Sequence, residues 1–201
     1  KNIRIPVASL QEVLENAGDI CLGINEQCRP VQMFNEYLHD GYYPFFTGNR
    51  EDYYINIENI VNLILEQEMP LLCGVDPAYI RKLKALLSIL ASSVPYEVDI
   101  TKLAGTIGLT RNSVITYLQN LDRAELLKLL YSDLTSVKKM QKPDKIYLQN
   151  PNLLYAIAST SVQIGTARET FAISQLSVNH EIEYGKTQGD FVVDHKYTFE
   201  V

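Results

Sequence analysis

The chain has 201 residues, 46% of them apolar and 21% charged. At about 100–200 residues per domain this allows one or two ordinary domains, or three small ones, and it excludes a disordered polypeptide. The formal charge of −6 conceals a segregation: residues 1–80 carry 4 Lys/Arg against 12 Asp/Glu, residues 81–150 carry 11 against 6, and residues 151–201 carry 3 against 6. Only the middle block therefore offers a polyanion a favourable surface. No apolar run reaches the roughly 18 residues of a membrane-spanning helix, so no membrane partner is expected.

In chain order, residues 7–15 predict a first helix. Ser9 and Glu12 stand at capping-box spacing, and Leu10, Val13 and Leu14 form an apolar stripe. No apolar core of 7–15 residues follows Lys1 and Arg4, so a secretory leader is not expected. Cys21, Cys28 and Cys73 are odd in number and lack metal-ligand spacing with one another or with His39, His180 and His195. They read as small buried hydrophobes in a reducing, cytoplasmic compartment. A second helix is predicted over 31–39 and stopped by Gly41, and the aromatic run Tyr42–Phe46 then either plugs a groove or forms a binding surface. A third helix over 55–68 carries Ile57, Ile60, Val61, Ile64 and Leu65 on one face, with Pro70 expected to end it.

The middle block is more specific. An amphipathic helix over 79–92 precedes Pro95 and Asp99. Then come a short helix over 101–107, the tight link Gly108–Leu109–Thr110, and a longer helix over 111–121 that Thr110 can cap. Two helices joined by a three-residue turn containing Gly predict a helix-turn-helix. Leu103, Ala104, Ile107, Leu109, Val114, Leu118 and Leu121 fall at core positions. Arg111, Asn112, Ser113, Thr116, Gln119 and Asn120 are assigned to the outer face, where they suit phosphate and base-edge contacts. Apolar strands at 126–131 and 145–148 flank a basic loop carrying Lys138, Lys139 and Lys142, which completes a winged helix. The DNA-binding candidates are accordingly Arg111, Asn112, Ser113, Thr116, Lys138, Lys139 and Lys142. The other reading of the same block is a protein-interaction module.

In the last block, helices are predicted over 151–158 and 166–177, followed by strands at 181–184, 190–193 and 197–201 with turns at Gly185 and Asp194–His195. Gly185–Lys186–Thr187 resembles the end of a P-loop, but His180 occupies the place of the first Gly and the segment joins two strands. No other phosphate loop exists, so the chain alone is expected to have no ATPase activity. Glu169, Asp190 and Glu200 form a spaced acidic set that could hold a divalent metal for phosphodiester cleavage, or could simply decorate the surface.

The stretches FNEYLHDGYYPFF, LLSILASSVPYEVDITKLAGTIGLTRNSVITYLQNLDRAELL, KPDKIYLQNPNLLYAI, IGTARETFAISQL and GDFVVDHKYTFEV cover much of residues 31–201. With them the chain resembles the C-terminal region of bacterial and archaeal AAA-type ATPases of the DUF4143-containing group. The resemblance implies an α+β, mainly α fold: a lid-like helical region over 1–78, a winged helix over 79–148, and a truncated, nuclease-like α/β part over 149–201. It implies a P-loop ATPase domain upstream that binds ATP and Mg²⁺, with no cofactor in this chain. It places Glu169, Asp190 and Glu200 as the acids of a PD-(D/E)xK-type pattern, whose Lys would stand two residues after Glu200. The chain starts without Met and ends on Val201, so it is expected to be a piece of a longer protein without nuclease activity of its own. The expected partners are duplex DNA, the protein's own ATPase domain and a second copy of the chain.

Overall fold

A computed structural model describes residues 4, 7–47, 49–93, 96–132, 141–158, 161–186 and 189–201. The chain is α+β and mainly helical. It opens with α1 (Leu10–Glu15) and α2 (Ala17–Gln27). The capping box forms as its spacing predicts: Ser9 Oγ accepts from the Glu12 N–H and the Glu12 carboxylate accepts from the Ser9 N–H. The stripe behind it is not buried, because neither α1 nor α2 contributes a buried residue. The cysteines also differ from expectation: Cys21 and Cys73 are exposed and only Cys28 is partly covered.

Helix α3 (Pro30–Asp40) runs into the aromatic segment, and α4 (Arg50–Leu63) follows. The buried face of α4 is Tyr53, Ile57 and Val61, continued at the same spacing of four by Leu65 in the turn that follows, while Ile60 stays 37% exposed. Pro70 does not end this run. One π-helical turn at Ile64–Glu68, closed by the Met69 N–H on the Ile64 carbonyl, carries the chain into α5 (Met69–Cys73). Pro70 then sits in the first turn of a new segment, where its missing N–H costs little. The stop comes at Gly74, in the left-handed conformation at φ 64°.

Helices α6 (Ile80–Ala91), α7 (Ile100–Ile107) and α8 (Arg111–Arg123) are followed by β2 (Leu127–Leu130) and β3 (Lys145–Leu148). A two-residue strand, β1 (Tyr96–Glu97), pairs antiparallel with β3, giving a sheet of order β1-β3-β2. Its pleat divides the side chains between two cores. Leu127, Leu129, Ile146 and Leu148 face the helices in a core that runs from Tyr53 to Leu154. Leu130 and Tyr147 point the other way. There they meet Ile173 of α10 (Ile164–Leu176), with Ile182, Phe191 and Val193 of a second antiparallel sheet, β4 (Ile182–Tyr184), β5 (Phe191–Val193) and β6 (Tyr197–Phe199). The Tyr184 N–H donates to the Tyr131 carbonyl at 2.9 Å and ties the two sheets together.

Between β3 and α10 lies α9 (Pro151–Ile157), capped by Asn150, whose side chain accepts from the Leu153 N–H. Within the first turn, the fully buried Asn152 fastens the aromatic segment. Its Oδ1 accepts from the Tyr42 N–H and the Tyr53 hydroxyl, and its Nδ2 donates to the Tyr37 and Leu38 carbonyls. Tyr43 and Phe45 stack on each other and pack against the first core. The aromatic run is therefore mainly a plug.

Candidate functional site

The link between α7 and α8 is built by local chemistry. Gly108 takes φ 63°, a conformation that costs glycine nothing, and closes α7. Thr110 Oγ1 accepts from the Ser113 N–H at 3.1 Å and caps α8. Val114, Leu118 and Leu121 then enter the core. Arg111, Asn112 and Thr116 are exposed. Ser113 is half-buried and its hydroxyl is shared with Thr110 at 2.8 Å. Asn120 does not belong to the outer face: it is 7% exposed and buried beside Leu121.

The basic residues of the middle block divide sharply. Lys138 and Lys139 lie outside the described residues. Lys142 is exposed and donates to the Val98 carbonyl at 3.3 Å. Lys84 is paired with Glu66 at 2.6 Å. Lys82 donates to the Gly108 carbonyl, placing an ammonium at the turn before α8. Lys102 on α7 is exposed. Sequence reasoning singled out neither Lys82 nor Lys102, although both share the block's positive excess. At its other end α8 borders a cleft of about 570 Å³, lined among others by Arg123, Lys128, Tyr131 and His180. Within that cleft Asp122 accepts from the Leu129 N–H, and burial lifts its carboxyl above the ordinary aspartate range.

A second cluster lies on the far face of the sheet. Alternation along β3 sends Lys145 the same way as Tyr147, into the second core. Lys145 is 8% exposed. Its Nζ lies 3.9 Å from Glu169 Oε2 of α10 and 3.8 Å from Asp190 Oδ1, next to the start of β5. It also donates to the Tyr147 hydroxyl at 3.1 Å, and that hydroxyl donates to Glu169 Oε2 at 2.7 Å. Burial raises the Glu169 carboxyl and outweighs the Tyr147 hydrogen bond, which lowers it. Burial and the neighbouring Glu169 push the Tyr147 phenol far above its ordinary range.

Two of the three predicted acids, Glu169 and Asp190, thus meet around one lysine. Glu200 is exposed. Asp190 Oδ2 instead accepts from the Val201 N–H at 3.0 Å. Among the described residues no three His, Cys, Asp or Glu side chains stand close enough to share a metal ion. The involvement of Lys145 was missed because Lys-Ile-Tyr-Leu reads as a strand buried on one side. The available signal was the run from Leu126 to Leu130, which is apolar at both parities and marks a strand covered on both faces.

No helix among the described residues is long and apolar enough to cross a membrane. No curated protein and no solved structure matches the chain. Residues 31–163 match the domain of unknown function DUF8612. The match begins in the first turn of α3 and ends just before α10, so it takes in the first core and its sheet, and the chain belongs to the DUF8612 family.

Proposed function

We propose that α6–α8 and β1–β3 form a winged helix-turn-helix that contacts duplex DNA, within the accessory C-terminal region of a P-loop AAA-type ATPase. The observation that carries the reading is the division of surfaces. Arg111, Asn112 and Thr116 of α8 stay open to solvent, while the C-terminal module packs on the opposite face of the sheet. The element order and the β1-β3-β2 sheet are those a winged helix requires. Arg111 is the one basic residue in the first turns of α8, so binding rests on phosphates rather than base edges. Arg111, Asn112, Ser113 and Thr116 supply the helix contacts, and Lys138, Lys139 and Lys142 supply the wing contacts.

A duplex-binding titration by fluorescence anisotropy tests this. Affinity is expected to be weak, to depend little on sequence and to fall steeply between about 50 and 200 mM salt. Replacing Arg111 and the three wing lysines by Glu should abolish it. Undetectable binding at about 50 mM salt, or unchanged binding by the variant, overturns the DNA reading.

The second reading, a docking module for a protein partner or for the ATPase core, is favoured by Leu71 and Leu72 of α5. They stand 83% and 80% exposed. Association through them would resist salt and be lost in Leu71→Ser/Leu72→Ser. The DUF4143-like resemblance further supports α10 and β4–β6 as the start of a nuclease-like unit, with ATP and Mg²⁺ bound by the upstream domain. Metal-dependent plasmid nicking by the chain, lost in Asp190→Ala, would contradict the inactivity proposed for that unit.

A further inference from the structure

We propose that the Lys145 ammonium is the resident cation of the Glu169–Asp190 pair. It takes the place that a divalent metal ion would otherwise fill, so the native chain excludes metal there and removing the ammonium creates a divalent-cation site. This inference goes beyond the DNA reading and does not depend on it.

The ammonium sits between the two acids at ion-pair distance and hydrogen-bonds the Tyr147 hydroxyl between them. Nζ stands almost equally far from a carboxylate on α10 and one at the start of β5, at 3.9 and 3.8 Å. The Tyr147 hydroxyl is a third oxygen at 3.1 Å. The rings of Tyr147 and Tyr184 close around the ammonium at 5.7 and 5.5 Å from their centroids. The side chains are 10% exposed for Lys145, 14% for Glu169 and 24% for Asp190. Two carboxylates and a phenol form an all-oxygen donor set, the kind that Mg²⁺, Mn²⁺ and Ca²⁺ prefer.

While Nζ is present, a metal ion would meet a positive charge at contact distance in a poorly screened interior. Without Nζ, two largely covered carboxylates lose their counter-charge, which is unfavourable unless they take up protons or another cation. The metal could bind directly after small side-chain shifts, or through its own waters, as Mg²⁺ commonly does.

The test compares the full chain with Lys145→Met, which keeps the apolar stem, and with Lys145→Arg, which keeps the charge. The probes are Mn²⁺ in thermal unfolding and Tb³⁺ luminescence excited through tyrosine, since the chain has no Trp. Lys145→Met should bind one Mn²⁺ about tenfold or more tightly than the native chain, with a matching rise in unfolding temperature. Lys145→Arg should behave as native, and adding Asp190→Asn to Lys145→Met should cancel the gain. If Lys145→Met unfolds by itself, Mn²⁺ should restore its helical signal. A folded Lys145→Met without gain, or an unfolded one that Mn²⁺ fails to restore, overturns the proposal. So does Mn²⁺ binding by the native chain that Asp190→Asn weakens.

Discussion

Asn152 shows how much of this fold rests on single polar side chains. All its hydrogen-bonding capacity is spent, on the Tyr53 hydroxyl of α4 and on one N–H and two carbonyls around the end of α3. Asn152→Leu would leave these partners orphaned in the core at about 1–3 kcal/mol each. A loss of at least about 3 kcal/mol in urea unfolding is expected, with Asn152→Asp no better because it faces two carbonyls with a charge. Asp122 works in the opposite sense. Its folded carboxyl holds a proton more tightly than the ordinary aspartate value of 3.8, mainly through burial. The unfolded chain therefore binds fewer protons in that window, and stability falls as pH rises from about 4 through the raised value. Asp122→Asn keeps an acceptor for the Leu129 N–H. Thermal melts should show it at least as stable as native at pH 7, with a flatter profile down to pH 4. Neither role was legible in the sequence, because hydrogen-bond saturation and desolvation depend on residues 100 positions away in one case and on a cleft wall in the other. The Asn150 cap and the Ser9–Glu12 box are local, and their residue types at that spacing suffice to predict them.

At the scale of elements, the turn before α8 concentrates the local signals. Gly108→Ala should cost about 1 kcal/mol through its left-handed backbone alone, since the added Cβ meets Lys82 Nζ only at an ordinary 3.6 Å. Thr110→Ala should cost a similar amount, about 1 kcal/mol, by uncapping α8. Both are measurable as shifts in denaturant midpoint without a change of slope. Elements whose period and caps lie within one segment were read almost to the residue: α7, α8, β2, β3 and the Asp194–His195 turn. That turn has φ 52° and 56°, which closes a tight hairpin. α2 went unread because Gly18, Gly23 and scattered polar residues blur its period. β1 went unread because two residues become a strand only by pairing with β3. Pro70 misled because a π turn moves the proline into an N-terminal position that no spacing rule reveals.

The whole molecule is organised around a sheet with two committed faces. Phe191→Ala, on the second core, should cost about 3–5 kcal/mol of that core's packing. By hydrogen exchange, α10 and β4–β6 should lose protection while α6–α8 keep theirs, because the first core shares no side chain with that cluster. Charge segregation suggested three regions, whereas the apolar contacts gather α4 through α9 around one interior. Composition reports the outer surface and says little about which interior a segment joins. The double-faced sheet has a consequence for synthesis. Once α9 has left the ribosome the first core is complete, yet the rear of β2 and β3 stays bare until β5 emerges. At about 5–20 residues per second that interval lasts seconds. During it the nascent chain presents Leu130 and Tyr147 as a greasy ledge, and their cross-strand partners Lys145 and Lys128 set two charges on the same face, of the kind that discourage pairing with a stranger's strand.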